Sequence, residues 1–153
     1  MAEITPRSPA ALVQVTAWPG TAATVEHRIA LLPATRLPVG PGRWLLASDQ
    51  PLDFDLPAEL GTVTDLTDAR VILHLAGEDV VHVLRQGVGF DLDPRRFGSG
   101  ASAQTSIHGM PVLVHRRDLA TFDLYVSSSF AASLEAWLRE AAGLPAHEAA
   151  PSG

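Results

Sequence analysis

The chain has 153 residues, 46% of them hydrophobic, and a formal net charge of −6. That length and hydropathy describe one packed domain, able to bury roughly 70% of its unfolded surface, and the acidic balance weighs against nucleic acid, which needs a basic surface. There is no cysteine, and all eleven basic residues are arginine, which excludes thiolate chemistry, disulfides, Schiff bases, pyridoxal-phosphate anchoring and a Walker-type phosphate loop.

In chain order, residues 1–10 read as a short N-terminal tail. Val13, Val15 and Ala17 alternate with polar neighbours as a first strand, which Pro19-Gly20 ends. Thr21 is placed to cap a helix reaching about Leu32, with Val25, Ile29 and Leu32 on one side. Residues 33–42, rich in proline and glycine, predict a loop, Arg43–Ser48 a short apolar strand, and the acidic stretch 49–61 irregular chain with one helical turn near Ala58. Strands follow at Thr62–Leu66 and Arg70–Ala76, then a helix opened by Gly77, carrying Glu78 and Asp79 in its first turn and closed by Gly87.

A loop over Asp91–Gly100 leads into a meander, Ser102–Ile107, Met110–Arg116 and Thr121–Val126. Ser127–Ser129 offer serine caps for a last helix with Phe130, Leu134, Trp137, Leu138 and Ala141 on one face and a Glu135–Arg139 pair. Gly143 and Pro145 stop it, and residues 145–153 read as a C-terminal tail. Seven strands and three helices, strands clustered, define an α+β domain on a largely antiparallel sheet spanning 11–144. Several strands are apolar on both faces: Ile72 with Leu73, Leu45 with Leu46, Leu113 with Val112 and Val114. Either the chain's own helices and loops cover the second face, or a partner protein does.

Candidate chemistry is sparse. His27, His74, His82, His108, His115 and His147 show no metal-ligand spacing; His74 and His115 fall on strands and share a side, half of a zinc site. The serines lack a G-x-S-x-G elbow, and capping explains Ser127–Ser129. The segment 87-GVGFDL-92 follows a helix and has Leu92 where a dinucleotide fingerprint needs glycine. Asp49, Asp53, Asp55, Glu59, Asp65 and Asp68 form an acidic run that reads as solvated surface. Arg85, Arg95, Arg96, Arg116 and Arg117 form the opposite patch, and Arg95, Arg96 and Phe97 together suit an interface, where arginine and aromatics are enriched.

The ordered segments 63-VTDLTDARVILHLAGED-79, 87-GVGFDLDPRRF-97, 103-AQT-105, 112-VLVHR-116 and 121-TFDLYVSSSFAASLEAWL-138 resemble the gamma subunit of heterotetrameric sarcosine oxidase. The family's cysteine and histidine in its "GCPLDLHP" segment correspond to Val88 and Asp93. The resemblance implies a fold like the folate-binding domain of the glycine-cleavage T-protein. It implies a non-catalytic small subunit of a flavin-dependent oxidase that converts sarcosine to glycine and hydrogen peroxide and passes the one-carbon unit to tetrahydrofolate. Alpha, beta and delta subunits are the implied partners and would carry the FAD, FMN, NAD, tetrahydrofolate and zinc. The alternative is a free-standing folate-binding or assembly protein of the T-protein type. The N-terminus lacks a signal-peptide pattern and no apolar run reaches membrane-spanning length, so a cytoplasmic protein is expected.

Overall fold

A computed structural model describes residues 1–146. In chain order it contains β1 (Glu3–Arg7), β2 (Ala11–Ala17), α1 (Ala22–Ile29), β3 (Thr35–Gly40), β4 (Arg43–Ser48), β5 (Gly61–Asp65), β6 (Arg70–Ala76), α2 (Val80–Arg85), β7 (Ser102–Ile107), β8 (Met110–Asp118), β9 (Thr121–Ser127) and α3 (Ala131–Ala141). The α+β class, antiparallel strands and three helices agree with the sequence. The strands, however, fall into two sheets, in two compact units: Met1–Arg7 with the chain from Val71 onward, and Ser8–Arg70. Strand periodicity carries no information about which sheet a strand joins.

The first unit holds the five-stranded sheet β1-β6-β9-β8-β7. The pairs β1/β6, β7/β8 and β8/β9 are antiparallel. Leu73, Leu75, Val112, Val114, Phe122, Leu124 and Val126 line one face, and α2 and α3 close it through Val83, Leu84, Leu134 and Leu138. At about 25 cal/mol per Å² of apolar surface removed from water, this layer is the main source of the unit's stability. The second unit holds the sheet β3-β4-β2-β5. Its α1 lies on the face formed by Val15, Trp44 and Leu46, through Val25 and Ile29.

Several expectations need correction. Glu3–Arg7, placed in an N-terminal tail, is an edge strand, with Glu3 opposite Ala76 and Arg7 opposite Ile72; five residues with one buried apolar side chain, Ile4, are too few to show a period. Thr35–Gly40, read as loop, is edge strand β3, where Pro38 is tolerated because an edge leaves one set of amides unused. The serine caps are absent. Phe130 occupies the N-cap of α3 without a side-chain cap bond, Ser127 Oγ and Ser129 Oγ instead pair at 3.0 Å, and the Phe130 ring is 41% exposed. The Thr21 hydroxyl donates to the carbonyls of Trp18 and Leu60 rather than capping α1. Of the expected C-terminal tail, only Pro145 and Ala146 lie within the described residues.

The question of the two-sided apolar strands is also answered. Ile72, Leu45 and Leu113 are buried within the chain itself, as are Leu73, Leu46 and Val114 on the opposite faces.

Candidate functional site

Two features of the first unit concentrate polar chemistry. One is the loop after α2, whose shape comes from short-range capping. The Asp93 amide donates to the Asp91 carboxylate at 2.9 Å, and the Arg95 amide donates to Asp93 at 2.9 Å. Two successive aspartate turns of this kind hold a loop without regular structure. Arg95 also donates through its guanidinium to Asp93 at 2.8 Å, and Arg96 lies 3.5 Å from Asp91. The Arg95 side chain, then its amide, hold the Asp93 carboxyl below the ordinary carboxylate range. Both guanidinium groups stay in solvent, their side chains 88% and 76% exposed.

Phe97 behaves differently and corrects the sequence reading. Its ring is buried in the core cluster that also holds Leu92, Val114 and Phe122, and stands 4.8 Å from the Phe90 ring. Inside this chain it is a core plug, not an exposed anchor. Beneath the loop lies Arg116, 1% exposed. It donates to the carbonyls of Leu92 at 2.8 Å, Phe97 at 2.6 Å and Leu119 at 2.8 Å, and its guanidinium carbon sits 4.9 Å from the centroid of the Phe122 ring. A buried cation needs compensating dipoles; here three carbonyls and an aromatic face supply them, and in return the loop is fixed at both ends. Burial first, then the charge of Arg85, press the Arg116 pKa downward, while a guanidinium remains charged throughout the physiological range.

The second feature is Asp123, 0% exposed in the middle of β9. One carboxylate oxygen accepts from His74 Nδ1 of β6 at 2.6 Å; the other accepts from Arg117 of β8 at 2.9 Å and lies 3.4 Å from Arg7 of β1. Four strands are thereby tied to one buried anion. Stripping a partner from such a group typically costs about 3–5 kcal/mol, because the remaining charge stays buried. His115, opposite Asp123 in the β8/β9 register, is 8% exposed and its Nδ1 has no hydrogen-bond partner. Burial, then Arg117, lower its pKa against a smaller opposing pull from Asp123.

The predicted arginine patch is therefore divided. Arg116 is interior, Arg117 is exposed but tied to Asp123, and Arg85, Arg95 and Arg96 are the other surface members. His74 and His115 do share a face, brought together around Asp123. His27, His82 and His108 are exposed, and His147 lies outside the described residues. Among the described residues no group of three or more histidine, cysteine, aspartate or glutamate side chains could hold a metal ion. The GVGFDL segment follows α2 and enters a loop, so no strand-to-helix turn presents amides to a pyrophosphate.

Asp123 and Arg7 were missed in the sequence, and Arg116 was placed in a surface patch instead of the interior. Asp123 alternates with Phe122 and Leu124 just as a solvent-facing residue would, and only the third dimension shows what covers it. The sole hint was a carboxylate inside an otherwise apolar strand shortly after paired arginines.

Two antiparallel α+β units, with a five-stranded sheet bearing α2 and α3 on one face, define the structural class. That class has a close match among solved structures: a chain of the heterotetrameric sarcosine oxidase from Corynebacterium sp. U-96, in complex with pyrrole 2-carboxylate, superposes with a TM-score of 0.80 at 26% identity, over 97% of this chain and 88% of that one. Residues 10–144 match the model of the sarcosine oxidase, gamma subunit family, and the chain belongs to that family. The gamma subunit of Corynebacterium sp. (strain U-96) is 33% identical over 109 residues, covering 67% of this chain and 53% of that protein. That of Corynebacterium sp. (strain P-1) is 32% identical over 111 residues, covering 67% and 54%. The chain thus spans about half the length of the curated relatives it matches. No helix among the described residues is long and apolar enough to cross a membrane.

Proposed function

We propose that this chain is the non-catalytic gamma subunit of a cytoplasmic, heterotetrameric, flavin-dependent sarcosine oxidase, assembling with alpha, beta and delta subunits. The assembly oxidises the N-methyl group of sarcosine to give glycine and hydrogen peroxide, and the one-carbon unit passes to tetrahydrofolate. FAD, FMN, NAD, tetrahydrofolate and zinc belong to the partner subunits. The observation that carries this reading is the superposition on a heterotetrameric sarcosine oxidase chain over 97% of the length, together with family membership. The chain's own polar groups support it. Arg116 donates through its terminal guanidinium nitrogens to the carbonyls of Leu92, Phe97 and Leu119, its buried Nε having no hydrogen-bond partner, and both oxygens of Asp123 are engaged. These groups hold strands and a loop in place instead of facing a substrate.

Within that reading, Arg95 and Arg96 form part of the docking surface, on a loop that Arg116 and the buried Phe97 make rigid. Preorganised arginines in an interface can each contribute about 2 kcal/mol or more once desolvated, whereas exposed ones add little to a monomer's stability. The test is co-expression with the three other subunits. The wild-type chain should co-purify in a sarcosine-oxidising, peroxide-producing complex and be colourless and inert alone. The double change Arg95→Ala, Arg96→Ala should keep the melting temperature of the chain and lose co-purification, more so at high salt. Sarcosine oxidation by the chain alone would sink the non-catalytic reading; an undisturbed complex would remove the loop from the interface.

A further inference from the structure

The carboxylate of Asp123 is fully subscribed, and its contacts are unequal. A carboxylate offers about four lone-pair sites. His74 Nδ1 stands at 2.6 Å and Arg117 at 2.9 Å, while one Arg7 nitrogen lies 3.5 Å from one oxygen and 3.4 Å from the other. The first two are short; those of Arg7 lie beyond the usual range for a charge-assisted bond. Arg7 ends β1 and its side chain is 44% exposed, so water can receive the guanidinium if it leaves the carboxylate.

A further group is placed for the same oxygens. His115 lies directly opposite Asp123 in the β8/β9 register, and such pairs put their Cβ atoms about 4.5–5.5 Å apart on one face. The imidazole is buried, and its Nδ1 has no hydrogen-bond partner. The charges that act on it are those of Arg117 on its own strand and Asp123 on β9. Beyond these, β6 brings His74 and β1 brings Arg7 to the cluster, and β7 places the uncharged Ser102 opposite His115. Asp118, which feels the charge of His74, is already engaged by the Ala120 amide and by Thr121. A neutral ring with one unmatched nitrogen costs little. A protonated ring is a donor at both nitrogens, and a buried cation without an acceptor costs far more.

We infer that Asp123 and Arg7 form a proton-operated latch on the N-terminal strand: protonated His115 takes a carboxylate oxygen of Asp123, Arg7 is released, and β1 opens from β6. The direction follows from charge and bond length. An imidazolium beside Asp123 adds positive charge next to Arg7 and Arg117, and the repulsion displaces the partner held least tightly. His74 does not compete, because at 2.6 Å from a carboxylate its Nδ1 carries the proton in either charge state. Besides Arg7, β1 is held by the buried Ile4, by the Arg139 bond to the Ile4 carbonyl at 2.9 Å, and by pairing to β6 along a short strand that includes Pro6. An edge so lightly held opens locally at a fraction of the global free energy. Burial and Arg117 hold the His115 pKa down, so the latch is closed at neutral pH and opens in acid.

The test follows amide hydrogen exchange of residues 3–7 in the full-length chain between pH 7.5 and 5, corrected for the intrinsic pH dependence of exchange, with residues 122–126 of β9 as internal control. Protection of β1 should fall about tenfold or more at pH 5 while that of β9 is kept. His115→Gln, which cannot gain the charge, should hold β1 protected at pH 5. Arg7→Gln, which lacks the latch, should leave β1 weakly protected already at pH 7.5 and remove the pH dependence. Protection of β1 that is the same at both pH values, or that falls equally in His115→Gln, overturns the proposal. Loss of β9 protection in step with β1 is global unfolding and overturns it as well. Should His115→Gln fail to fold at pH 7.5, Arg7→Gln decides: a pH dependence as large as that of the wild-type chain removes Arg7 from the device and the proposal with it.

Discussion

At the residue scale, His115 is the most informative titratable group. Burial and Arg117 lower its pKa from the ordinary 6.5, so the folded state resists its protonation more than the unfolded chain does. The sign follows from linkage: as pH falls below about 6.5 the unfolded chain takes up the proton first, and stability declines until the folded-state pKa is passed. Above pH 7 both states are neutral and the contribution is complete. Denaturant midpoints measured between pH 7.5 and 5 should therefore fall in the wild-type chain and fall less steeply in His115→Gln. Equal slopes for the two proteins would mean that this imidazole is free to protonate when folded. Neither its burial nor its alignment with Asp123 could be read from sequence, since a histidine on a strand is equally compatible with either face; the pairing emerges from the β8/β9 register.

At the element scale, α3 shows how far periodicity reaches. Leu134 and Leu138 are fully buried, as the 3.6-residue stripe predicts, and the Glu135–Arg139 pair forms at 2.8 Å. Trp137 belongs to the same stripe but lies at its margin, half-buried, stacked 6.4 Å from the His108 ring and covering Gly87. Gly87 thus matters for space and not only for ending α2. A Cβ there would stand 2.7 Å from Trp137 and 2.9 Å from Ile107. Gly87→Ala should destabilise the chain by about 1–3 kcal/mol, the usual cost of overpacking, and should shift the Trp137 fluorescence as the ring is displaced. An unchanged unfolding midpoint would show that the indole yields freely. The missed strands β1 and β3 have a common cause: both are short edges bearing proline, where local pattern is weakest and pairing to a neighbour decides the conformation.

For the whole molecule, the sequence left open whether a partner covers the second apolar face of its strands. Residues such as Leu45, Ile72, Leu113 and Tyr125 are buried by the chain alone. The large apolar side chains left exposed, among them Trp18, Leu31, Leu119 and Phe130, are scattered along the chain, which is ordinary for a folded surface. The isolated chain should accordingly bind little hydrophobic dye near neutral pH. Strong dye fluorescence at a pH where the chain is fully folded would restore the idea of a large uncovered apolar face.

What the sequence determined by itself was whatever depends on neighbours within a few residues: the alternation of β9, the stripe of α3, the two-residue His108–Gly109 turn between two strands, and the ordered segments by which the family is recognised. What only the tertiary structure decided depends on residues far apart in the chain. Arg116 reaches back 24 and 19 residues to the carbonyls of Leu92 and Phe97, and Asp123 meets His74 and Arg7 across separations of 49 and 116. The inward turn of Phe97, the burial of Asp123 and the division into two sheets all follow from such long-range meetings, for which a local pattern holds no signal.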